Sequence, residues 1–170
     1  MLTCYMNSIV SFRKYFLLIA FGCISLFANA QSGSAILNLA AYENRVQQKN
    51  DTLYVVNFWA TWCKPCVTEL PFFEKAAQTF SQQSVKIIFV SQDAKTRAVQ
   101  VNEFLKKNNY SSESFILSAG NPNIWIDKID TKWSGTIPMT LFYKNGTKLY
   151  FHEGDYASFD ELEKIIHSKL

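Results

Sequence analysis

Trp59-Ala60-Thr61-Trp62-Cys63-Lys64-Pro65-Cys66 is the stretch on which the reading of this chain turns. Before it, Leu53-Tyr54-Val55-Val56-Asn57-Phe58 is nearly continuous in apolar and β-branched residues. That is the pattern of a strand covered on both faces. From Cys63 to Phe80, the residues Val67, Leu70, Phe73, Ala77 and Phe80 recur on one stripe, which predicts a helix. The two cysteines therefore stand where a buried strand ends and a helix begins. Unpaired N–H groups and the helix dipole favour an anion at that place. A thiolate at Cys63 is stabilised there, and its pKa falls below the free value of about 8.5. Cys63 is thus the better nucleophile and the more exposed sulfur. Cys66, a turn inside the helix, is placed to attack a mixed disulfide formed on Cys63. Pro65 is tolerated in a first helical turn and stiffens the short loop. Lys64 puts a positive charge beside Cys63.

Outward from the motif, helix and strand alternate. Ala35 to Lys49 carries Ile36, Leu39, Ala40, Tyr42 and Val46 at close to helical spacing and predicts a helix. Val85 to Val90 reads as a second buried strand. Lys95 to Asn108 predicts a helix with Val99, Val101, Phe104 and Leu105 inward. Phe115-Ile116-Leu117 is a short apolar run, and Asn123 to Asp130 reads as a short helix. Met139 to Tyr143 and Lys148 to His152 flank Asn145-Gly146, a strong hairpin signal. Ser158 with Glu161 forms a capping box that opens a last helix, with Phe159, Leu162, Ile165 and Ile166 inward. Strand–helix–strand units imply parallel pairing, and the hairpin adds antiparallel strands. The expected fold is α/β, a mixed sheet with helices on both faces.

The first thirty residues differ from the rest. They hold no acidic residue, carry Arg13 and Lys14, and run apolar from Tyr15 to Phe27 before Ala28-Asn29-Ala30. A basic region, a short apolar region and an A-x-A site describe a secretory signal peptide, so residues 1–30 are read as that segment and 31–170 as one domain. An uncleaved amino-terminal anchor is the alternative, with a lipoprotein site at Cys23 a third. Without Arg13 and Lys14 the seventeen basic residues become fifteen against fourteen acidic ones, net +1. That balance carries no signature of a nucleic-acid partner.

Removal of residues 1–30 also takes Cys4 and Cys23, leaving Cys63 and Cys66. A bridge across two residues closes so short a loop that it removes little unfolded-state entropy. It makes a poor staple and suits a bond that opens and closes. A c-type haem site needs His after the second cysteine, where Val67 stands. A zinc site needs about four ligands, and His152 and His167 lack the spacing. Those residues predict no metal, and no nicotinamide or flavin fingerprint is present, so no cofactor is expected. An inert structural disulfide stays open as the bland alternative.

Asn57 to Cys66 resembles the active-site segment of the TlpA/ResA-like branch of thioredoxin-fold proteins, which are exported bacterial thiol–disulfide oxidoreductases. Ser134-Gly135-Thr136-Ile137-Pro138-Met139-Thr140 is similar to that family's cis-proline loop. The resemblance implies a thioredoxin fold whose extra residues from Gln92 to Asn123 are a TlpA-like insertion before the cis-proline loop. It implies that Pro138 is cis and packs against the cysteines, and that the Ile137 backbone pairs with an extended client segment. Trp62, Lys64 and Pro65 then flank that segment. Glu69 stands where the branch carries a glutamate three residues after the second cysteine. It is either partly buried near the thiols as a proton shuttle or a solvated first-turn residue. Asn57 stands where cytosolic thioredoxins carry a buried Asp. Aromatics near Trp125 and Trp133 either meet a partner or belong to the core.

The implied function is reduction or exchange of disulfides in client proteins outside the cytoplasm, by a monomer. Its electron donor would be a membrane thiol reductant, and cytochrome c apoproteins are clients known in this branch. A disulfide-donating oxidase, and a binding or chaperone-like module with an inert disulfide, are the alternatives.

Overall fold

The computed structural model describes residues 34–170. The expected signal segment, residues 1–30, lies outside the described residues. In chain order the elements are β1 (Ala35–Leu37), α1 (Leu39–Val46), β2 (Leu53–Trp59), α2 (Lys64–Thr79) and β3 (Val85–Ser91). They continue with α3 (Ala98–Lys107), β4 (Glu113–Leu117), α4 (Pro122–Ile129), β5 (Met139–Lys144), β6 (Thr147–Glu153) and α5 (Phe159–Lys169). One six-stranded sheet runs in the order β1-β4-β3-β2-β5-β6. The pairs β1–β4, β4–β3 and β3–β2 are parallel, while β2–β5 and β5–β6 are antiparallel. The structure thus bears out the expected mixed sheet and thioredoxin fold.

Every residue of β2 is buried because the sheet is covered twice. Leu53, Val55 and Trp59 meet α2, α3 and α5 on one face, through Leu70, Phe73, Val101, Leu162 and Ile166. Tyr54, Val56 and Phe58 meet α1 and α4 on the other, through Tyr42, Val46, Trp125 and Ile129. Successive side chains of a strand point to opposite faces, so a continuous apolar run fills both layers. Asn57 is the one polar residue in that run, and it lies at 0% exposure on the α2 side.

Three local expectations are corrected. Ala35 to Leu37 forms a strand rather than the first turn of a helix, because it pairs in register with Phe115 to Leu117. The helix starts after Asn38, whose side chain accepts from the Ala41 N–H. Ile36, read as inward, is half exposed on that edge strand. Val99, also read as inward, is exposed because it lies two residues from Val101, on the opposite side of α3, and Val101 and Leu105 face the core instead. Trp125 and Trp133 are both buried in the core, with ring centroids 5.7 Å apart.

The extra length between Gln92 and Asn123 holds α3 and β4, and β4 enters the sheet between β1 and β3. The hairpin turns through Asn145 and Gly146, both at positive φ (51° and 74°), as the twist of the flanking strands requires. Ser158 caps α5 by accepting from the Glu161 N–H, and the Glu161 carboxylate reaches back to the Ala157 N–H. No helix among the described residues is long and apolar enough to cross a membrane.

Candidate active site

The site is assembled where β2 ends and α2 begins. A turn from Ala60 to Cys63 closes through the Cys63 N–H and the Ala60 carbonyl at 3.1 Å. Cys63 is the N-cap of α2, and its Sγ lies 3.3 Å from the Cys66 N–H. The two sulfurs are joined as a disulfide. Cys66 has no exposed surface, whereas Cys63 keeps a small accessible edge at 6%. That order matches the assignment of Cys63 as the outer sulfur.

Cis Ile137–Pro138 lies opposite the pair, and the Ile137 carbonyl oxygen is 3.7 Å from Cys63 Sγ. In the reduced protein that oxygen can accept from the Cys63 thiol. Pro138 is buried and Ile137 half-buried. The loop before them is held from behind by Glu153 on β6. Its carboxylate accepts from the Ser134 N–H and the Thr136 N–H, each at 3.3 Å, and from the Ser134 hydroxyl. The Trp133 indole N–H donates to the Thr136 carbonyl at 2.7 Å. Trp62 stands outside at 63% exposure, and Lys64 and Pro65 are exposed beside it.

Glu69 is buried at 1% exposure, one turn beyond Cys66 on the same side of α2. Its Oε1 accepts from the Asn57 amide at 2.7 Å, and its Oε2 from the Tyr156 N–H at 2.9 Å. Burial pushes its pKa up, the two hydrogen bonds pull it back, Asp155 raises it slightly, and the net is about 7. Of the two readings of Glu69, the buried one describes its place. Asn57 also donates to the Thr140 hydroxyl at 3.3 Å, so Asn57, Glu69, Thr140 and Tyr156 form one polar patch under α2.

Sequence reasoning missed two acidic residues that shape the site, Glu153 and Asp93. Asp93 is 2% exposed, follows β3 and accepts from the Thr61 N–H and hydroxyl. Its place just past the carboxyl end of a parallel strand was the available signal, since sites in such sheets gather at that edge. His152 lies on β6 stacked on Tyr156, and His167 is exposed near the end of α5. No group of three His, Cys, Asp or Glu among the described residues is arranged to hold a metal ion.

A family model described as the AhpC/TSA family matches residues 30–144. The thiol-disulfide oxidoreductase ResA of Geobacillus kaustophilus is 32% identical over 56 residues, 33% of this chain and 32% of that protein. ResA of Oceanobacillus iheyensis is 41% identical over 39 residues, 23% of this chain and 20% of that protein. The first of these matches thus spans about a third of the relative's length, and the second about a fifth. Among solved structures, a thioredoxin family thiol:disulfide interchange protein from Chlorobium tepidum aligns with a TM-score of 0.57 at 19% identity. That alignment covers 71% of this chain and 81% of that one. A secreted disulfide oxidoreductase of Mycobacterium tuberculosis aligns with a TM-score of 0.53 at 24% identity, covering 71% and 84%. These structures share the fold.

Proposed function

The chain belongs to the AhpC/TSA family, and on that premise we propose that it is a thiol–disulfide oxidoreductase that reduces or exchanges disulfides of client proteins outside the cytoplasm. The observation that carries the reading is the placement of Cys63. It caps α2, receives the Cys66 N–H and faces the carbonyl of Ile137.

In the reduced protein the Cys63 thiolate attacks one sulfur of a client disulfide. A Cys63–client bond forms, the client S–S bond breaks, and the other client sulfur leaves as a thiolate that takes a proton. Cys66 then attacks Cys63. The Cys63–Cys66 bond forms, the second client thiolate departs, and two electrons have passed to the client. Cys66 must lose its proton in that step, and Glu69 is the buried base beside it. A carboxylate titrating near 7 can take and return a proton at neutral pH. Pro138 shapes the groove, the Ile137 backbone pairs with an extended client segment, and Trp62, Lys64 and Pro65 border it.

Resetting the pair requires a thiol reductant at the membrane, because the chain carries no fingerprint of a nicotinamide or flavin. An exported location follows from reading residues 1–30 as a signal segment. It accords with the secreted M. tuberculosis protein of the same fold. Cytochrome c apoprotein is one client to try, and the working unit is a monomer.

The test is the reduction potential of the purified protein, together with turnover of a protein disulfide by wild type and Cys63→Ser. A potential nearer about −270 than about −120 mV, with turnover lost in Cys63→Ser, supports the reductase. A potential near about −120 mV points to a disulfide donor. A pair that does not exchange leaves a binding module.

A further inference from the structure

Asp93 and Thr61 form a closed clasp that neither a disulfide bond nor a hydrophobic layer requires. The Asp93 carboxylate accepts from the Thr61 N–H at 2.8 Å, the Thr61 hydroxyl at 2.6 Å and the Ser91 hydroxyl at 2.9 Å. Ser91 in turn accepts from the Asp93 N–H at 3.0 Å. A buried carboxylate is costly unless such donors surround it, so its retention at 2% exposure needs a reason. The reason lies in what it holds. Thr61 is the second residue of the Ala60–Cys63 turn, and that turn leads directly to the N-cap of α2.

We propose that Asp93 is a positioning residue, which by clasping Thr61 fixes where the Cys63 sulfur stands against the first N–H groups of α2. The inference rests on the reading of Cys63 as the attacking sulfur. The Gln92 N–H donates to the Trp59 carbonyl at 2.8 Å, so the segment bearing Asp93 is tied to the end of β2. From there the clasp crosses to Thr61. Trp62, next along the turn, is exposed at 63% and does not anchor it. A hydrogen bond to sulfur weakens steeply with misalignment, and the stabilisation of an anion at a helix start is confined to its first turn. A turn that drifts thus raises the cost of the thiolate without unfolding the domain.

The titratable or charged groups that follow Cys63 in the first turns of α2 are Lys64, Cys66 and Glu69. Glu153 stands behind the loop opposite. A change at Thr61 leaves these residues in the sequence, and Asp93 itself is kept. Thr61→Val is therefore the clean perturbation, and Thr61→Ser is the conservative rescue that keeps the hydroxyl.

The experiment is iodoacetamide alkylation of the reduced full chain against pH, with the label on Cys63 quantified by mass spectrometry. It needs no client, so it stands apart from the test of oxidoreductase activity. Thr61→Val is expected to move the alkylation midpoint upward by about half to one pH unit, which slows alkylation at pH 7 by about threefold to tenfold. Thr61→Ser is expected to follow wild type. In an Asp93→Ala background the further change at Thr61 is expected to do nothing, because the clasp is already open. The inference is overturned if Thr61→Val leaves the profile in place while lowering the melting temperature. It is equally overturned if Thr61→Val shifts the profile by the same amount with and without Asp93. Should Asp93→Ala fail to fold, the comparison of Thr61→Val with Thr61→Ser decides alone.

Discussion

Replacing Glu69 with glutamine should make the protein less sensitive to alkaline pH. In the unfolded chain this carboxyl titrates near 4.5, and in the folded protein at about 7. A carboxyl with a raised folded pKa binds more protons when folded. It adds stability that is fully present below pH 4.5 and is lost as the pH rises through 7. The difference is about 2.5 units, and each unit corresponds to about 1.4 kcal/mol, so the loss across the window is about 3 kcal/mol.

Glutamine stays neutral throughout, and its amide can turn a donor toward the Asn57 Oδ1, which is buried without a partner. The assay is urea unfolding of the oxidised wild type and Glu69→Gln between pH 4.5 and 8, so that no thiol titrates. All other groups are common to both proteins and cancel in the difference. Wild type should lose about 3 kcal/mol relative to Glu69→Gln between those limits. A difference that stays constant to within about 0.5 kcal/mol would refute the reasoning, since Glu69 would then titrate as it does in the unfolded chain.

Other outcomes follow from the same contacts. Cys66→Ser should accumulate a covalent Cys63–client species on a non-reducing gel when the reduced protein meets a disulfide-bonded client, and its absence would remove Cys66 from the resolving step. Glu74 on α2 is buried and accepts from the N–H and hydroxyl groups of Ser111 and Ser112, at 2.6 to 3.2 Å. Glu74→Ala is expected to cost about 2 kcal/mol, read as a lower urea midpoint at unchanged slope. Gly146 holds φ at +74°, and a Cβ there would stand 3.3 Å from the Gln47 carbonyl oxygen. Gly146→Ala should therefore cost about 1–2 kcal/mol in thermal unfolding, while alkylation of Cys63 is unaffected.

The strands and helix around the cysteines were legible because local pattern and tertiary environment agree there. β2 is buried on both faces and reads as an unbroken apolar run, and α2 carries a regular stripe. Asn145-Gly146 and Ser158 likewise act through their own backbone. Ala35 to Leu37 was not legible. Its strand character comes from Phe115 to Leu117, and its own residues continue a helical pattern. Val99 was misplaced because it stands two residues from Val101, on the opposite side of α3, whose buried stripe runs through Val101 and Leu105. That Pro138 is cis was anticipated from resemblance, and the clasp from Asp93 to Thr61 was not. It joins residues 32 positions apart, and an acid after a strand carries no mark of what it will hold.

The position of β1 has a consequence for how the molecule opens. Ala35 pairs with Phe115, and the neighbouring Ser34 reaches Ser114 across 80 residues, so β1 joins the sheet at its edge by a short ladder ending at Leu37 and Leu117. It borders only β4, and β2, β3, β5 and β6 keep all their own ladders without it. β1 is three residues long and largely exposed, so little buried surface holds it in place. Its amides should therefore exchange with deuterium through a local detachment of low free energy. Those of β2 and β3, which carry the cysteine turn and Asp93, should wait for global unfolding. The edge can fray while the chemistry stays in register.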